Sequence, residues 1–109
     1  MGADGIAISN SAIQAIGCVA ARMCNTNNCP SGIATQKEDL RKRLNIEKSS
    51  TQLHNFFDAA VELMQVMARA CGHDHLNKFN KDDLATWHRK MALLSGVKYS
   101  GYENTISNL

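Results

Sequence analysis

Apolar and polar positions change rhythm several times along the chain. Residues 5–8, Gly-Ile-Ala-Ile, form a short apolar run closed by Ser9-Asn10-Ser11, the pattern of one buried strand. Ser11 and Gln14 stand in capping-box spacing ahead of Ile13, Ala15 and Ile16, which predicts a helix start at Ser11. Across residues 17–34 the helical period fades, and a proline with two glycines predicts a loop. Thr35 and Glu38 repeat the capping spacing and open a short charged helix to about Leu44, mostly a solvated face. A third such pair, Ser49 and Gln52, opens the strongest helix. There Leu53, Phe56, Phe57, Ala60, Leu63, Met64 and Met67 recur every three or four residues, and Gly72 supplies the stop. Cys71 continues this stripe as a small buried hydrophobe. Asn80 with Asp82 and Asp83 predicts the start of a last helix, with Leu84, Trp87, Met91 and Leu94 as its seam and Gly96 as its end. Residues 96–99 give a weak strand pattern, and residues 100–109 are a polar tail.

A lone strand at residues 5–8 leaves its backbone donors and acceptors without neighbours. The pattern therefore points to the C-terminal part of a larger α/β protein, or to a subunit completing one. Composition narrows the classes. With 109 residues, 44% hydrophobic and 20% charged, the chain is about one small globular domain. A net charge of +2 announces no nucleic-acid partner. No apolar stretch nears the roughly 18 residues that span a bilayer, and the start lacks the basic lead of a secretory signal. These features predict a soluble, cytoplasmic chain with no membrane partner.

Three of the four cysteines, Cys18, Cys24 and Cys29, fall within twelve residues, while Cys71 stands apart. This uneven grouping argues against a secreted disulfide scaffold and for metal or redox chemistry. Thiolates on one loop can converge on one centre, and soft sulfur selects zinc, copper or iron–sulfur clusters. Structural zinc prefers a fourth ligand and tighter Cys pairs, whereas His54, His73, His75 and His88 all lie well downstream. Three cysteines, the last followed by Pro30, suit a [3Fe–4S] cluster. Zinc, and structural or redox thiols, stay open on spacing alone. Convergence carries one condition: on a continuous helix Cys18 and Cys24 would face about 120° apart, so the first helix must break near Gly17.

The strand–turn–helix at residues 5–14 is a second candidate, since a helix N-terminus after a buried strand offers free N–H groups to a phosphate. His73 and His75 flank Asp74 beyond a helix end, where helix carbonyls or water are the expected partners. No nucleotide loop, Ser–His–Asp set or paired carboxylates are visible, and no residue is assigned a catalytic role.

Gly2, Ala3, Asp4, Ile6, Ala7 and Ile8, then Gly17-Cys18, then Cys24, Cys29-Pro30 and the run from Gly32 to Gln36 carry a family pattern. Over about residues 2–44 the chain closely resembles the C-terminal end of the FMN-binding synthase domain of glutamate synthases. The helices after it resemble the C-terminal extension of single-domain FMN-binding members. The resemblance implies an α/β fold: the last strand and helix of a (β/α)8 barrel over residues 1–16, an iron–sulfur cysteine loop over 17–34, and a mainly helical extension over 35–109. It implies FMN, its phosphate at Ser9, Asn10 and Ser11, and a [3Fe–4S] cluster on Cys18, Cys24 and Cys29. Asn25 to Asn28 are then candidate donors to the sulfurs, and Arg22 a candidate to offset their charge. Ser9-Asn10-Ser11 stands where the family carries Gly-Thr-Ala, so side-chain donors replace close backbone approach.

The implied reaction is reductive transfer of ammonia nitrogen to 2-oxoglutarate, giving glutamate. The implied partners are the remainder of the barrel, an electron donor (ferredoxin or a pyridine-nucleotide-oxidising subunit) and an ammonia-supplying glutaminase. This segment alone is not expected to be active. Two other readings are an FMN-binding subunit of a methylamine–glutamate N-methyltransferase type and a zinc-stabilised helical binding module with no enzymatic role.

Overall fold

A computed structural model describes residues 3–101; Gly2 and tail positions 102–109 lie outside the described residues. The chain divides into two compact units, Gly5–Met64 and Met1–Asp4 with Gln65–Leu109. The elements in order are α1 (Asn10–Ala15), α2 (Glu38–Arg41), α3 (Ile46–Ala70), β1 (Ala85–Thr86), α4 (Arg89–Ser95) and β2 (Lys98–Tyr99). Two 3₁₀ turns, Leu76–Lys78 and Lys81–Asp83, precede β1. The fold is small and mostly helical.

The barrel expectation is overturned. Residues 5–8 form no strand, and Ile6 and Ile8 are 85% and 50% exposed. Among the described residues the only strands are β1 and β2, which pair in parallel as a two-stranded open sheet, Ala85 opposite Lys98 and Thr86 opposite Tyr99. A short apolar run becomes a strand only where neighbours satisfy its edges, and here none of the described residues do. Its sequence specifies apolarity, not a sheet.

Within Gly5–Met64, α1 begins at Asn10, one residue before the expected start, and its N-cap Ser9 makes no side-chain capping bond. Its end is well defined. Gly17 N–H donates to the Gln14 carbonyl at 3.0 Å and Cys18 N–H to the Ile13 carbonyl at 3.1 Å. With Gly17 at φ +109°, this is a Schellman termination. The break that cysteine convergence requires is therefore present. Thr35 does not cap α2, whose N-cap is Lys37. Nor does Ser49 cap α3: Asn45 does, its Oδ1 accepting from Lys48 N–H at 2.9 Å. Ser49, three residues into that helix, is buried and donates from Oγ to the Ile16 carbonyl at 3.0 Å. It thereby satisfies an acceptor that the end of α1 leaves open.

In the other unit, α3 ends as expected at Gly72. The Gly72 and His73 amides donate to the Arg69 and Ala68 carbonyls at 3.0 and 2.9 Å. Asn80 does start structure, but a 3₁₀ turn in place of the expected long helix: Asn80 Oδ1 accepts from Asp82 N–H while Asp83 Oδ2 accepts from Asn80 N–H, both at 2.8 Å. The last helix is the shorter α4, ended by Gly96 at φ +69°. His73 Nε2 lies 2.8 Å from both Asp83 oxygens, so its partner is a carboxylate and not the expected carbonyl or water. Cys71, expected to be buried, is exposed. Among the described residues the buried apolar side chains are Cys29 and Ala68, and no helix is long and apolar enough to cross a membrane.

Candidate functional site

The loop between α1 and α2 is built around a clasp. Asn27 adopts φ +61°, a left-handed conformation that Asn tolerates better than most residues. Its Oδ1 accepts from Gln36 N–H at 2.6 Å, and its carbonyl accepts the buried Thr35 hydroxyl at 2.7 Å. Thr35 Oγ1 in turn accepts from Lys37 N–H at 3.1 Å, and Lys37 Nζ donates to Asn28 Oδ1 at 2.5 Å. Through these oxygens Asn27 and Asn28 close the base of the 29–34 turn. At its tip, Gly32 has φ +80°, and a Cβ there would stand 2.3 Å from the Leu40 carbonyl oxygen. Glycine is required at this position on both counts.

The turn surrounds one sulfur. Cys29 is buried, with its Sγ 3.3 Å from Ser31 Oγ. The Ser31 hydroxyl first, then the backbone N–H of Ala34, with smaller contributions from Ile33 and Ser31, hold the thiol down to about 6 against partial desolvation. Cys18 Sγ accepts from Ala20 N–H at 3.4 Å. Ala20 and Arg22, at φ +56° and +54°, carry the chain from Cys18 toward Cys24 through left-handed backbone.

Cys18, Cys24 and Cys29 are all free thiols, and all three line one cavity of about 350 Å³ together with Ile13, Arg22 and Pro30. Their donor chemistry fits a sulfur-held metal group. Their spacing is another matter. Among the described residues no three His, Cys, Asp or Glu side chains are grouped to hold a metal ion. Among the described residues the expected iron–sulfur site is therefore not matched, and with no barrel formed neither is the expected FMN-binding feature.

Ser9, Asn10 and Ser11 are exposed at the start of α1, and Asn10 also lines the cysteine cavity. Sequence reasoning missed Ser31, and it gave Thr35 and Asn27 other roles, a helix cap and a donor to sulfur, without seeing the clasp they form. No periodicity marks them, since the clasp joins residues eight or nine apart within an aperiodic loop, and Ser31 meets Cys29 two residues away in the same loop.

The family model described as a conserved region in glutamate synthase matches residues 1–74. The chain is 40% identical over 77 residues to the chloroplastic ferredoxin-dependent glutamate synthase of Spinacia oleracea, covering 71% of this chain and 5% of that protein. It is 36% identical over 105 residues to ferredoxin-dependent glutamate synthase 2 of Synechocystis, covering 95% and 6%. To the glutamate synthase large subunit-like protein YerD of Bacillus subtilis it is 32% identical over 82 residues, covering 75% and 16%. The chain thus spans a small part of the length of these relatives. No solved structure gives a significant match. A match through the whole cysteine loop and into α3 places the chain in the glutamate synthase family.

Proposed function

We propose that this chain serves a glutamate synthase-like oxidoreductase that transfers ammonia nitrogen to 2-oxoglutarate, consuming two electrons and releasing water as glutamate forms. The observation that carries the reading is the set of three free thiols lining one cavity inside the family-matched region. Cys18, Cys24 and Cys29 would hold a [3Fe–4S] cluster, which supplies one-electron transfer when bound. Arg22, on the same cavity, would offset the negative charge of the thiolates. Ser9, Asn10 and Ser11 would contact the phosphate of FMN through their hydroxyl and amide groups.

The chain would work with the rest of a larger synthase polypeptide, a ferredoxin or pyridine-nucleotide-oxidising donor, and an ammonia-supplying glutaminase. The ferredoxin-dependent relatives support the donor class. Exposed Leu63, Met64, Trp87 and Leu94 supply apolar surface for such an assembly. Four free cysteines fit a reducing, cytoplasmic setting.

Anaerobic expression of the full chain, with iron analysis and a visible spectrum, tests the assignment. Broad visible absorbance with about three irons per chain is expected, and Cys24→Ser should abolish it. A colourless chain holding one zinc would replace the redox reading with a zinc-stabilised module.

A further inference from the structure

Where α3 ends, in the unit that includes Gln65–Leu109, a cavity of about 580 Å³ opens, a size suited to a small molecule. Ala68 and Leu76 give it an apolar wall, and the His73 ring forms another. That ring is anchored: Nε2 lies 2.8 Å from both Asp83 oxygens, and Phe79 packs edge-on against it at 5.7 Å. An ionised carboxylate only accepts, so the Nε2 proton of His73 is spent on Asp83.

The cavity's donors come from its other residues. His75 Nδ1 accepts from the Asn77 N–H at 3.2 Å. A neutral imidazole whose Nδ1 lone pair is engaged carries its proton at Nε2, so His75 lines the cavity as a donor. Arg69, in the last turn of α3, lines it too, and among the described residues no carboxylate forms an ion pair with its guanidinium. Asp74, also on the cavity, is engaged by Lys78, and Asp83 by His73 and the Asn80 N–H. The helix end does not supply the missing acceptor either. The Ala68 and Arg69 carbonyls already accept the His73 and Gly72 amides at 2.9 and 3.0 Å. Gln65, one turn earlier on the same helix face, adds a side-chain amide to the lining.

We propose that this cavity is a binding site for a small oxyanion, a carboxylate or phosphate group, gripped by the Arg69 guanidinium with His75 and Gln65 as flanking donors. The planar fork of a guanidinium matches two oxygens of either group. A metal ion is the wrong occupant, since among the described residues no three His, Cys, Asp or Glu side chains are grouped to hold one. The site is separate from the proposed redox role, because its lining includes no cysteine.

Titration of the full chain with inorganic phosphate and, separately, with acetate tests this, at constant ionic strength and neutral pH. The readout is the NMR signals of the Arg69 Nε–H and the His75 ring. At least one anion should shift both signals along one saturable curve, and the anion that does so names the group. Arg69→Gln should weaken that binding about tenfold or more, and Arg69→Lys, which keeps the charge and loses the fork, by less. His75→Phe should weaken it about threefold through the lost donor. Lys90→Gln removes an equal charge outside the cavity and should leave the affinity within about twofold. Failure of both anions to give saturable shifts overturns the proposal. So does an equal loss in Lys90→Gln and Arg69→Gln, which would reduce the attraction to net charge. His73 amide protection reports whether Arg69→Gln disturbs the turn; where it does, the wild-type titration and His75→Phe decide the site.

Discussion

Cys29 differs from the other thiols because of where its donors come from. The Ser31 hydroxyl and the N–H groups of Ala34, Ile33 and Ser31 are gathered only when the turn is folded, and they favour the thiolate. With the folded value lowered to about 6, the stabilisation this group contributes is fully present above the unfolded thiol value and is lost as pH falls through about 6. In the metal-free chain, alkylation of Cys29 should therefore be half-maximal near pH 6. Ser31→Ala, which deletes the largest contribution, should move that midpoint upward. Peptide-resolved alkylation rates across pH 5–9 check this, and a midpoint unmoved by Ser31→Ala would refute the assignment of the donor. Glycine positions give a second contrast. A Cβ at Gly96 meets open space, whereas one at Gly32 collides with the Leu40 backbone. Gly96→Ala should cost the left-handed penalty alone, about 1 kcal/mol. Gly32→Ala adds an obstruction that cannot swing aside and should cost about 2–4 kcal/mol. Hydrogen exchange of the amides closing each turn measures both.

At the scale of elements, the His73–Asp83 pair ties the end of α3 to the 3₁₀ turn at Lys81–Asp83. Asp83 is held below the usual carboxylate range, first by the Asn80 N–H and then by the His73 ring, against some desolvation. A lowered carboxylate contributes stability above its unfolded value and loses it as pH falls through the folded one. Protection of the Asn80 amide should therefore drop on acidification below the ordinary aspartate range. In Asp83→Asn it should be weak at every pH and nearly independent of pH, whereas an unchanged acid response would exclude Asp83 as the group titrated. The same elements show what the sequence made legible. Glycine stops were read correctly: Gly17, Gly72 and Gly96 all sit left-handed at helix ends, because positive φ is a local demand that few other residues meet. The three capping-box pairs were not. Ser11 lies inside α1, Thr35 closes the loop clasp and Ser49 bonds the Ile16 carbonyl. A hydroxyl three residues before a Glu or Gln is a short pattern, and tertiary acceptors compete for that hydroxyl. In the candidate site, the grouping of the cysteines on one cavity was legible. The clasp that shapes the loop depends on contacts that no spacing rule records.

At the scale of the molecule, amphipathic patterning and burial part company. The α3 stripe has helical period, yet Leu63 and Met67 are 68% and 63% exposed, while Ala68 on the same helix is 3% exposed. Period predicts which residues share a face; it does not supply the surface that covers that face. Substitutions should sort by coverage and not by hydrophobicity. Leu63→Ser with Met67→Ser removes apolar area that is already in water, so helicity by circular dichroism should change little. The fluorescence of an apolar dye such as ANS, which reports exposed apolar surface, should fall. Ala68→Leu does the reverse. It inserts three carbons beside a carbonyl that accepts the Cys71 and His73 amides, and overpacking of that kind costs about 1–3 kcal/mol. The turn after α3 should then lose amide protection at His73 even though a hydrophobic residue was added. If the double serine variant unfolded the helix while Ala68→Leu left His73 protected, the exposed stripe would be carrying the stability and the arrangement of buried and open faces described above would be wrong.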